Sequence, residues 1–67
     1  MITEDELKRY KEILKDATED YSHLLNDWEH DWCHSNLAHI EQYGLNSYMS
    51  EKQKETLDKI EKKIYAT

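Results

Sequence analysis

Apolar residues recur at Leu7, Tyr10, Leu14, Ala17, Tyr21, Leu24 and Trp28 in alternating steps of three and four, with Ile13, Leu25 and Trp32 widening the stripe. That period marks one face of an amphipathic helix, since a half-buried strand alternates at every second residue. The stripe weakens after Trp32, resumes at Leu37 and Ile40, and stops at Gly44. A bend within residues 26–31 is expected to divide this region into two helices. A single helix of that length, packed on one short partner, would leave apolar surface uncovered in a monomer. A further stripe, Leu57, Ile60 and Ile64, lies amid dense Lys and Glu.

Two start signals frame these stripes. Thr3 followed by Glu6, and Ser50 followed by Gln53, have the capping-box form, in which the hydroxyl accepts from the third helical N–H and the Glu or Gln reaches back to the cap. Gly44 suits the left-handed close of a helix, and Leu45 and Met49 are expected to turn inward from the segment that follows. The pattern predicts an all-α fold: one domain over residues 1–67, a small three-helix bundle with helices at about 4–26, 28–43 and 51–65 and a loop over 44–50. The alternative is a long helical hairpin that forms an antiparallel dimer.

Composition adds two bounds. A chain of 67 residues hides only about 60% of its unfolded surface, so its core is thin, and self-association or a bound partner would add burial. The single cysteine, Cys33, excludes an internal disulfide and any paired-cysteine zinc motif. No run approaches the roughly 20 apolar residues that cross a bilayer, and MITEDELKRY lacks the basic-then-apolar order of a secretory signal. A cytoplasmic protein without a membrane partner is the expectation.

Charge changes the picture more. The net charge of −6 resides entirely in residues 1–31, which hold ten acids against four bases; residues 32–67 hold five of each. Between Asp16 and Asp31 there are six acids and no Lys or Arg. Phosphate backbones are bound through Lys and Arg, so this block disfavours direct nucleic-acid binding and favours a basic protein surface.

The stretch DYSHLLNDWEHDWCH carries Asp, aromatic, any residue, His three times, at Asp20, Asp27 and Asp31. On a continuous helix the aromatics fall on the apolar stripe, while Asp16, Asp20, His23, Asp27, His30 and His34 form a second row facing outward. Di-iron carboxylate bundles use Glu and His that project inward, so no metal or cofactor is expected. His30 and His34, four residues apart, are the weak candidates for one surface ion, and the same Asp-flanked histidines make a pH-responsive surface an alternative. Cys33 reads as a buried small residue, because a nucleophile needs an orienting base and an oxyanion site in a cleft. Tyr10, Tyr21 and Trp28 are assigned to the core. Trp32, Tyr43 and Tyr48, near helix ends and the loop, are candidate partner anchors, since Trp and Tyr combine apolar area with a polar edge.

From Trp32, through WCHSNLAHIEQYG to YMSEKQKETLDKI, the chain resembles a short helical module of tailed-phage replication and recombination proteins. In that module an aromatic-containing helix ends at a glycine, and a capped "LSEKQ"-like turn opens a last helix with spaced Leu and Ile. The matching residues are Ser50, Glu51, Lys52, Gln53, Leu57 and Ile60, with Gly44, Trp32 and Leu37. The resemblance covers about half the chain. It implies a small helical bundle associated with a phage helicase, binding branched or single-stranded nucleic acid.

The functional expectation is a non-enzymatic, acidic protein-binding factor encoded by a phage or mobile element. Its acidic helix face, Asp16, Glu19, Asp20, Asp27, Glu29 and Asp31 with Trp32, Tyr43 and Tyr48 as anchors, would dock on a basic surface of nucleic-acid-processing or host-defence machinery, as an inhibitor with partial DNA mimicry. The alternatives are the helicase-associated module and a metal-binding or pH-responsive helical protein.

Overall fold

The structure, a computed structural model, describes residues 2–66. It is all-α, with three helices in the order α1 (Glu4–Thr18), α2 (Asp27–Tyr43) and α3 (Glu51–Tyr65), and with single 3₁₀ turns at Ser22–Leu24 and Gly44–Asn46. Among the described residues there is no strand.

Each helix begins with a complete capping box. Thr3 Oγ1 accepts from the Glu6 N–H and Glu6 Oε1 accepts from the Thr3 N–H, both at 3.1 Å. Ser50 and Gln53 make the same exchange at 3.2 and 2.8 Å. A third box, at Asn26 and Glu29 with distances of 2.8 and 2.9 Å, uses an amide where the other two use a hydroxyl. Each box satisfies two backbone N–H groups, at the helix start and its cap, that have no partner within the helix.

That third box explains the main departure from the expected boundaries. The first helix ends at Thr18 rather than near residue 26. Thr18 Oγ1 donates back to the carbonyls of Leu14 and Lys15, the Tyr21 N–H reaches the Asp16 carbonyl, and a 3₁₀ turn follows. The reversal lets Tyr21 and Leu25 pack on the core before Asn26 opens α2. The bend within 26–31 is thus a full change of helix, and its cause is a cap. At the other end of α2, Gly44 has φ +53°, a backbone that L side chains rarely adopt, and its N–H donates to the Ile40 carbonyl.

The core is one cluster. α1 contributes Tyr10, Ile13, Leu14 and Ala17; α2 contributes Cys33 and Ile40; α3 contributes Leu57, Ile60 and Ile64, and Met49 closes the end from the loop. Leu45 does not turn inward as expected but is 37% exposed, because the 3₁₀ turn after Gly44 swings it outward. α1 packs against both other helices, whereas α2 and α3 approach each other much less closely. A groove is left between them.

Candidate interaction surface

The six predicted acids divide by what their side chains touch. Asp16 accepts the Tyr65 hydroxyl, tying α1 to the last turn of α3, where Tyr65 also meets the Tyr21 ring edge-on at 5.9 Å. Burial, and then this bond to Asp16, hold the Tyr65 phenol well above its ordinary range. Glu29 Oε1 accepts from both the Asn26 N–H and Lys63 Nζ, the latter at 2.6 Å. The Lys63 bond, helped by the cap, keeps the Glu29 carboxyl below its ordinary value. These two acids hold the fold together.

The other four, Glu19, Asp20, Asp27 and Asp31, are exposed, and none makes a side-chain hydrogen bond or ion pair among the described residues. They flank the α1–α2 turn, with Glu19 and Asp20 at the C-terminal end of α1 and Asp27 and Asp31 in the first two turns of α2. A helix presents partial negative charge at its C-terminus and positive charge at its N-terminus. Asp27 therefore sits where the backbone favours it, and Glu19 and Asp20 where the backbone disfavours them.

Because α1 and α2 are separate helices, the single outward row from Asp16 to His34 does not exist. His23 lies on the 3₁₀ turn, out of register with α2. His30 and His34 remain one turn apart, ring centroids 4.5 Å from each other. No cluster of three or more His, Cys, Asp or Glu placed to hold a metal occurs among the described residues. Cys33 is fully buried, and burial, with a smaller contribution from Glu29, pushes its thiol up to about 11.

The aromatic residues form a second feature. Trp28, assigned to the core from its spacing, is 62% exposed. In α2 the buried positions are Cys33 and Ile40, with Leu37 packed beside them, and Trp28 lies about 140° from Cys33 around the axis. Trp32 packs partly on the core, and the two indoles stack with centroids 6.5 Å apart and planes 26° from parallel. Together they line one stretch of the α2–α3 groove with Lys52, Gln53 and Thr56. Gln53 also borders the next stretch, where Tyr48 joins Ser35, Asn36 and His39. Tyr48 is 70% exposed. Tyr43 is exposed at the far end of α2, its ring 4.7 Å from that of His39.

Of the three expected anchors, the groove gathers Trp32 and Tyr48 and leaves Tyr43 at its end. The acids and the aromatics adjoin only where Asp27 and Asp31 flank Trp28. Reading Asn-x-x-Glu at Asn26 as a cap would have shown Trp28 to be off the core stripe, because the phase of α2 is then counted from Cys33, Leu37 and Ile40 alone.

No helix among the described residues is long and apolar enough to cross a membrane. No protein-family model, curated protein or solved structure matches the chain.

Proposed function

We propose that this protein is a non-enzymatic binding factor whose acidic end, at the α1–α2 turn, docks on a basic surface of another protein. The observation that carries this reading is the group Glu19, Asp20, Asp27 and Asp31: four exposed carboxylates without partners, two of them held at the end of α1 that disfavours negative charge. Such a surface contributes electrostatic steering and register toward a basic partner.

The most concrete form is an inhibitor, encoded by a phage or mobile element, that occupies a nucleic-acid-binding surface of processing or host-defence machinery by presenting carboxylates where phosphates would lie. The test is affinity purification from the native host with the wild type and with a triple variant, Glu19→Lys, Asp20→Lys, Asp27→Lys. A partner captured by the wild type and lost in the variant supports the reading. Equal capture by both ends it.

A second reading has its own observation. A stacked Trp pair beside Lys52 is the kind of platform on which single-stranded bases stack. Titration of Trp fluorescence with an oligonucleotide distinguishes the two: the acidic-factor reading expects no saturable quenching at physiological salt, and the nucleic-acid reading expects quenching that weakens as salt rises.

A further inference from the structure

We infer that the α2–α3 groove is covered by a second copy of this chain, related by a two-fold axis running along the groove. This inference does not rest on the proposed function: it shares Asp31 with the acidic end but leaves Glu19, Asp20 and Asp27, the charges reversed in the test of that function, outside the pairing.

The two walls of the groove differ in charge. On α2, Asp31 is exposed and follows Trp28 around the helix by about 60°, edging the Trp28 and Trp32 row on its solvent side. On α3, Lys52, Thr56, Lys59 and Lys63 share one row, with spacings of four, three and four residues. That row faces α2, because Lys63 is bonded to Glu29 and because Lys52 and Thr56 line the groove with the two tryptophans. Lys63 is already paired. Lys52 and Lys59 make no ion pair among the described residues. The groove therefore has an acidic rim on α2, a basic rim on α3, and aromatic side chains between them.

A surface with opposite rims complements itself in one of the two face-to-face arrangements. A two-fold axis along the groove sets the acidic rim of each copy against the basic rim of the other, and every contact occurs twice, as an isologous interface requires. A two-fold axis across the groove would oppose acid to acid and base to base. Asp31 on the acidic rim and Lys59 on the basic rim are both exposed, and neither makes an ion pair among the described residues. Asp31 of each copy then meets Lys59 of the other.

Exposure fits this occupant. Trp28, 62% exposed, and Tyr48, 70% exposed, line adjoining stretches of the groove that meet at Gln53. Buried under a second copy, they would add to a core that a chain of this length can only partly supply. The α2 helices run in the same direction in this arrangement, so both acidic ends emerge on the same side of the dimer.

The test is the mass of the full chain in solution, measured by sedimentation over a wide concentration range. The wild type is expected to pass from one chain to two. Trp28→Glu should weaken the association at least tenfold while leaving the helical circular dichroism and thermal midpoint of the monomer in place. Asp31→Lys and Lys59→Glu should each weaken it several-fold. The double variant in one chain should recover it, and so should an equimolar mixture of the two single variants, whose mixed dimer has both rims matched. A chain that stays monomeric to millimolar concentration overturns the inference. So does a dimer that is indifferent to Trp28→Glu, and so does a failure of both charge-swap rescues. If the monomeric chain instead captures another protein through Trp28, the groove belongs to that protein and self-pairing is likewise overturned.

Discussion

Lys63 donates to Glu29 across 2.6 Å, joining the last turn of α3 to the first turn of α2 at the same carboxylate oxygen that caps α2 through the Asn26 N–H. One side chain thus both starts a helix and anchors its neighbour. Glu29→Gln keeps a group able to complete the capping box but removes the charge, and should cost about 0.5–1 kcal/mol. Glu29→Ala removes both functions and should cost about 1–2 kcal/mol. The partial exposure of Lys63 keeps both values modest. The Glu29 carboxyl is held below its ordinary value, so its contribution is complete above the unfolded carboxyl range and is lost as pH falls through the lowered value of the folded state. Urea denaturation at pH 7 and pH 3 should show a smaller pH-dependent loss in Glu29→Gln than in the wild type.

The two tryptophans should separate cleanly by truncation. Trp28→Ala removes a mostly exposed ring and should alter monomer stability by no more than about 0.5 kcal/mol. Trp32→Ala removes a ring packed against the core and should cost about 1–3 kcal/mol. Thermal melts at low micromolar concentration, at about 4–8 °C per kcal/mol for a domain of this size, would resolve the difference. Equal effects would contradict the phase of α2 described above.

This contrast shows where the sequence was readable. Thr3 and Ser50 announced their helices because a hydroxyl followed by Glu or Gln three residues on is the familiar cap form, and Gly44 marked the end of α2 because only glycine tolerates its backbone there. The fold class and the approximate bounds of α2 and α3 followed from those signals. The end of α1 did not. No glycine or proline stands between Thr18 and Asn26, and Tyr21 and Leu24 happen to continue the three-and-four spacing although they lie in a turn. That coincidence carried a helical phase across the break, placed Trp28 in the core and aligned His23 with His30 and His34. The separation of structural acids from free ones was beyond the sequence altogether. Asp16 and Glu29 look like their neighbours until Tyr65 and Lys63 arrive from α3.

Reversing charge at the end of α1 should stabilise the molecule. Glu19→Lys and Asp20→Lys each place a cation at the negative end of the helix and should raise stability by about 0.3–1 kcal/mol at low salt, an increment that shrinks as salt is added. Denaturation at 20 mM and 500 mM salt would measure it. Under the proposed function the same substitutions weaken partner capture, so stability and binding should move in opposite directions.

Cys33 should resist thiol reagents. Full burial, and a thiol pushed up to about 11, leave little thiolate and no access at pH 8. Labelling by an aromatic disulfide should be slow in buffer and should accelerate with urea in step with the loss of helical circular dichroism. Rapid labelling in buffer would place α2 differently from the arrangement described.

The three capping boxes also bear on how the molecule assembles. Each is written in four consecutive residues, so the first turn of every helix can form without waiting for a distant segment, and most contacts that follow within a helix are local. Chains with this economy of loop closure fold in microseconds to milliseconds. Because the instructions for starting lie at Thr3, Asn26 and Ser50, exposed positions between them that bond to no other helix, Asp31 and Lys59 among them, can change charge without erasing a start signal.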